Sequence, residues 1–274
     1  MTAALTMRGV RYRYPDTTDY VLDGIDIVVQ PGEWLGVVGA TNAGKSTFCY
    51  AAMGLATEFF HGRLIGEIEV LGTEVRRQTV IERSTRVGML FQNPFTQVSG
   101  ARERVDDEVA FGPENHGLEP ALVKARVAEA LQQVGLSELR DRHPLDLSGG
   151  QLQRLALASL LAMHPELLLL DEPTSQLDPG GTKELFEALS RLHAAGVTIV
   201  MVEQKLEAVA ELCDRVVALA QGRILADGTP ARVFNDAAVQ QQVGAPIYVR
   251  LAESVGLPSP WPTTFETAVR AFNA

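Results

Sequence analysis

Eight residues, Gly39, Ala40, Thr41, Asn42, Ala43, Gly44, Lys45 and Ser46, constrain this chain more than any others, because they satisfy G-x-x-x-x-G-K-[ST]. A short apolar run, Trp34 to Val38, precedes them and reads as a buried strand, while Phe48 to Leu55 reads as helix. A strand, a glycine loop and a helix in that order form a cradle for phosphate. The glycines let the backbone curl so that N–H groups and the helix N-terminus point at phosphate oxygens. Lys45 reaches the outer phosphates, Ser46 can ligate Mg²⁺, and Thr47 is counted with the same cradle. An ordinary glycine-rich turn with an incidental lysine is the plain alternative, and the placement argues against it.

The cradle also explains how an acidic chain would hold a polyanion. With 24 basic against 34 acidic residues and a net charge of −10, there is no broad basic surface to hold nucleic acid by counterion release, so no nucleic acid partner is expected. Two cysteines, Cys49 and Cys213, both among apolar neighbours, give no disulfide framework and fit a reducing compartment. The start, MTAALTMRGVRYRY, lacks the pattern of a signal peptide, and His164, Pro165 and Glu166 interrupt the longest apolar region. The expectation is a chain that stays inside the cell and leaves membrane crossing to a partner.

Val10 to Tyr14 and Ile25 to Val29 read as strands, so the chain opens as β structure. Helical spacing dominates from about 92 to 162, at Pro120 to Val134 and Gln151 to Met163. Strands return at Leu167 to Leu170 and Val197 to Val202, separated by a helix over Gly181 to His193, which is the rhythm of a parallel sheet flanked by helices. The prolines after 236 mark a tail module with Thr263 as cap of a final short helix. The fold class expected is therefore α/β, with residues 1–235 as one domain containing the helical insert and 236–274 as the tail.

The strand Leu167 to Leu170 delivers Asp171 and Glu172 at its C-terminal edge, where parallel sheets bind their ligands. Asp171 is suited to holding Mg²⁺ through water, and Glu172 to orienting or deprotonating an attacking water. An isolated acidic pair would read as a solvated turn; beside a phosphate loop it suggests hydrolysis of a nucleoside triphosphate. A second glycine turn, Leu147-Ser148-Gly149-Gly150-Gln151, starts the helix leading into that strand, with Ser148 as cap and bare N–H groups at the helix N-terminus.

That LSGGQ turn, followed by Leu152-Gln153-Arg154 and standing between the two phosphate-site motifs, resembles the signature of ABC-type ATPases. The resemblance covers nearly the whole chain and implies the P-loop NTPase fold of ABC ATPase domains: an N-terminal antiparallel β part, a mainly parallel core sheet, a helical insert and a short C-terminal module. It implies ATP and Mg²⁺ as ligands. By the same resemblance Tyr14 stacks on adenine, Gln92 touches Mg²⁺ or the water, Ser175 to Asp178 lies across an interface between two ATPase domains, and Ser148 to Gln151 cover the γ-phosphate of a second domain. One chain then cannot complete a site, and it pairs with itself or with a relative.

A narrower resemblance rests on Phe91-Gln-Asn-Pro-Phe-Thr-Gln97, on Asp107-Glu-Val-Ala-Phe-Gly-Pro-Glu-Asn115 and on the tail, which look like the ATPase subunits of energy-coupling factor transporters, cobalt and nickel branch included. It implies docking on a membrane-embedded coupling protein at the cytoplasmic face of the membrane, and uptake of a vitamin or metal ion through a separate substrate-binding membrane component. A small-molecule kinase would not explain the signature turn. DNA-repair and translation ATPases of the ABC type carry coiled-coil insertions or tandem cassettes, absent here; other ABC importers and exporters are opposed only by the narrower motifs. One residue departs from the family pattern: Gln204, in Val202-Glu-Gln-Lys-Leu-Glu207, stands where relatives place a histidine that hydrogen-bonds the γ-phosphate. A weakened hydrolytic site is expected.

Overall fold

The computed structural model describes residues 2–273. In chain order the first half holds β1 (Leu5–Arg13), β2 (Leu22–Val29), β3 (Trp34–Gly39), α1 (Lys45–Met53), α2 (Leu55–Glu58), β4 (Arg63–Val70), β5 (Thr73–Glu74), α3 (Val80–Arg83), β6 (Val87–Leu90), α4 (Val105–Asn115) and α5 (Pro120–Gln133). Then follow α6 (Gly149–Leu161), β7 (Leu167–Asp171), α7 (Pro179–Ala194), β8 (Thr198–Val202), α8 (Leu206–Leu212), β9 (Arg215–Ala220) and β10 (Arg223–Gly228). After them come α9 (Pro230–Phe234), α10 (Ala237–Gln242), α11 (Ile247–Ser254) and α12 (Phe265–Phe272). Two compact units divide these elements: Met1–Val80 with Val200–Ala274, and Ile81–Ile199.

In the first unit β1 runs antiparallel between β2 and β4, the expected N-terminal antiparallel part. β3 pairs in parallel with β9, to which β10 is antiparallel. β1 starts at Leu5 rather than at Val10, and the reason is a bulge. Its pairing with β2 slips between Met7 and Val10, where Gly9 has φ 55°, so the period-two pattern that marks a strand is broken there. Likewise α1 starts at Lys45 rather than Phe48, because Gly44, in the left-handed region at φ 100°, ends the loop. The tail belongs to this unit, and the last helix is capped by Thr264, whose side chain forms a reciprocal capping box with Thr267; Thr263, the expected cap, is buried instead.

In the second unit β6 and β7 pair in parallel, from Val87 opposite Leu167 to Leu90 opposite Leu170. Every residue of both strands is buried, which is why Leu167 to Leu170 shows no alternation. Helices α4, α5 and α6 pack on one another around Val109, Val127 and Leu155. The expected helical insert, about 92 to 162, lies inside this unit. Among the described residues no helix is long and apolar enough to cross a membrane.

Candidate functional site

The phosphate loop is held open by its glycines. A Cβ at Gly39 would come within 2.5 Å of the Leu219 carbonyl oxygen, and one at Gly44 within 2.7 Å of the Val21 carbonyl oxygen. Asn42 takes a left-handed φ of 66°, a conformation that asparagine tolerates better than most residues. The N–H of Gly222 donates to the Ala43 carbonyl at 3.2 Å and ties the loop to the turn between β9 and β10. Lys45 is buried, its ammonium donating to the carbonyls of Gly39 at 2.9 Å and Ala40 at 3.0 Å, so the charge stays at the mouth of the loop. The N–H groups of Thr41, Asn42 and Gly44 have no acceptor among the described residues. N–H groups without an acceptor, a fixed cation and positions that admit no side chain fit a polyphosphate.

Tyr14 lies just past the end of β1, with its hydroxyl 3.0 Å from Thr47 Oγ1 and its ring edge-on to Tyr12 and Phe60. Tyr12 is core: burial pushes its phenol up to about 12, and the hydroxyl donates to the Ala56 carbonyl. Gln204 is exposed directly after β8. Its N–H and that of Lys205 donate to Glu203 Oε1, at 2.8 and 3.2 Å, and Glu203 is 3% exposed. The sequence carried a hint of this role, a single acid closing an apolar strand, but such acids usually face water.

In the second unit the sheet register brings two predicted residues together. Gln92 and Glu172 each stand two positions beyond the paired Leu90 and Leu170. Gln92 Nε2 donates to Glu172 Oε2 at 2.7 Å, and the Ser175 hydroxyl donates to the Gln92 carbonyl at 3.3 Å. Asp171 is 1% exposed at the end of β7. Glu172 has φ 47°, a left-handed conformation that costs a non-glycine residue about 1–2 kcal/mol and is concentrated at functional sites. Asp178 caps α7 through the Gly181 N–H at 2.6 Å.

The glycine turn at the start of α6 is closed by a reciprocal capping box between Ser148 and Gln151. Two N–H groups remain bare, those of Gly149 and Gly150, with no acceptor among the described residues. Neither glycine is demanded by this chain's own packing. A Cβ would lie 3.7 Å from the nearest atom at Gly149 and 3.4 Å at Gly150, and neither has a positive φ.

A phosphate loop, a buried aspartate ending a parallel strand and a following glutamate define a P-loop nucleotide hydrolase. Comparison with known proteins narrows this. The sequence profile of the ABC transporter family matches residues 22–175, more than half the chain. A putative ABC transporter ATP-binding protein of Pyrococcus abyssi is 38% identical over 248 residues, covering 90% of this chain and 88% of the relative. The energy-coupling factor transporter ATP-binding protein EcfA2 of Streptococcus sanguinis is 38% identical over 257 residues, 92% of this chain and 91% of that one. A longer relative from Methanosarcina mazei, 38% identical, is matched over only 38% of its length. Among solved structures, cbiO1 from Clostridium perfringens, described as part of the ABC transporter complex cbiONQ, superposes with a TM-score of 0.78 at 28% identity, covering 94% of this chain and all of that one. The chain belongs to the ABC transporter family, as one of its ATP-binding subunits.

Proposed function

We propose that this chain binds ATP with Mg²⁺ and hydrolyses it to energise uptake of a vitamin or transition-metal ion by an energy-coupling factor transporter. In this reading it is one of two ATPase subunits docked on a membrane-embedded coupling protein at the cytoplasmic face, beside a substrate-binding membrane component. Residues 1–235 form the ATPase body and 236–274 a tail module. The observation that carries the pairing is the Gly149-Gly150 turn, with two bare N–H groups and glycines that its own fold does not require. Such a turn suits close approach of an anion held by another chain, here the γ-phosphate in the phosphate loop of a second subunit. The narrower transporter class is supported by the EcfA2 and cbiO1 likenesses and by the motifs around Gln92 and Glu108.

Within one subunit, Lys45 and the N–H groups of residues 39–47 bind the phosphates, and Tyr14 stacks on the adenine. Ser46 and Asp171 hold the Mg²⁺, with Gln92 reaching it or the attacking water. When bound, the ion would supply charge neutralisation to the phosphates. Glu172 orients the attacking water and accepts its proton, a role that contributes about 10²–10⁴-fold in rate. The Gln92 amide, already on one Glu172 oxygen, fixes the direction of the carboxylate.

Gln204 donates a neutral hydrogen bond to the γ-phosphate where a histidine could supply a charged one. We infer a weakened site, paired with a complete one where the partner is a relative. Purification from membranes with identification of the attached proteins tests the assembly. A small vitamin- or metal-binding membrane protein beside a coupling protein supports it, and a periplasmic-type binding protein overturns the narrower reading.

A further inference from the structure

We propose that Gln97 is a positioning residue for hydrolysis: its amide staples the loop that carries Gln92 to the end of β6 and so holds Gln92 on Glu172. The inference rests on the roles given above to Gln92 and Glu172. Gln97 Oε1 accepts from the Phe91 N–H at 2.8 Å, and Gln97 Nε2 donates to the Met89 carbonyl at 2.9 Å. Both ends of one side chain are therefore spent on the backbone that launches Gln92. Phe91 is its immediate neighbour.

The rest of the loop is closed by short-range bonds that lead Gln97 back to that strand. Asn93 Oδ1 accepts from the Phe95 N–H, Thr96 Oγ1 donates to the Asn93 carbonyl, and the Gln97 N–H reaches the Pro94 carbonyl. Beyond the staple, buried Glu108 of α4 accepts from the N–H and hydroxyl of Ser99, at 2.6 and 2.7 Å. The loop thus has an anchor on each side of its turn; the one made by Gln97 adjoins Gln92, whose carbonyl also accepts from the Ser175 hydroxyl.

Gln92 is exposed, at the start of an irregular segment, and its amide must stay 2.7 Å from Glu172 to aim the carboxylate. An exposed loop side chain held by nothing else would sample many rotamers, and misplacement by about 1 Å is enough to slow a reaction about 10²-fold. The staple removes that freedom at the backbone. Gln97 touches no reacting atom and acts through Gln92.

A double-mutant cycle on the full chain tests this, with steady-state ATP hydrolysis and binding of a non-hydrolysable ATP analogue as readouts. Gln97→Leu, similar in size but without either hydrogen bond, lowers kcat about tenfold, as expected for two lost bonds. KM and analogue affinity stay within about twofold, because binding is made by the phosphate loop. Gln97→Glu keeps an acceptor for the Phe91 N–H but sets a carboxylate oxygen against the Met89 carbonyl, so it lowers kcat as well. In a Gln92→Ala background Gln97→Leu has no further effect on kcat. An unchanged kcat in Gln97→Leu, or effects of Gln97→Leu and Gln92→Ala that multiply, overturns the proposal. Hydrolysis that survives Glu172→Gln instead overturns the functional reading on which it rests.

Discussion

Glu172 combines three properties that a sequence carries very unequally. Its place after a buried strand and beside Asp171 was legible from Leu167-Leu-Leu-Leu-Asp171-Glu172 alone. Its left-handed backbone was not, since nothing in the local sequence demands φ 47° there. Its contact with Gln92, 80 residues away, depends on which strands pair and in what register, which no motif encodes. Glu203 was passed over for a related reason: the residue looks like the polar end of an apolar strand, whereas its carboxylate turns back to hold the N–H groups of Gln204 and Lys205. Truncating it removes two charge-assisted bonds, each contributing about 1.5–3 kcal/mol, so Glu203→Ala should cost about 3 kcal/mol or more in urea unfolding. In the proposed reading Gln204→His places a chargeable donor at the γ-phosphate, and ATP turnover should rise about fivefold, the difference between a neutral and a charged hydrogen bond. An unchanged rate would show that Gln204 is a tolerated strand-end residue.

Among elements, those with continuous or strictly periodic apolar patterns were the legible ones: β7, α5 and the strand before the phosphate loop. β1 lost its first five residues to the bulge at Gly9, and the last helix was given its cap one residue early because adjacent threonines offer the same side chain to either role. The attachment of the tail was not readable at all. Two carboxylates one turn apart on α8 hold its helices by their N-termini: Glu207 Oε1 accepts from the Ile247 N–H at 2.8 Å, and Glu211 Oε1 from the Phe265 N–H at 3.1 Å. Glu207→Ala with Glu211→Ala should therefore free α11 and α12, seen as faster amide exchange and faster proteolysis confined to residues 245–273. Arg104 and then Arg140 hydrogen-bond Asp106 and hold its carboxyl below the usual range. Because the folded pKa is the lower one, the stabilisation is present above about pH 4, the unfolded value, and is lost as pH falls through the folded pKa. Asp106→Asn should lower Tm at neutral pH, with the gap to the unmutated protein closing as the pH falls below about 4.

At the scale of the whole molecule, the order of motifs along the chain was enough to define the class, while the proposed pairing with a second chain is supported by a subtler feature. One phosphate loop and one signature turn are present, and the turn keeps two glycines for which its own fold has no use. Gly149→Ala should leave stability unchanged or slightly raised, since a Cβ meets only ordinary contacts and alanine favours helix by up to about 1 kcal/mol. On the proposed pairing the same change should depress ATP hydrolysis, because the methyl group would obstruct the approach of a second subunit's phosphate. Loss of stability with unaltered hydrolysis would return the turn to the role of a local helix start. The most direct test of the account is ATP turnover by the purified full chain carrying Glu172→Gln, measured against the unmutated protein with ATP binding followed in parallel. Turnover should fall about 10²–10⁴-fold, the contribution of a general base, with ATP still bound; turnover that persists unchanged would contradict the assignment of hydrolysis to this chain's own Glu172.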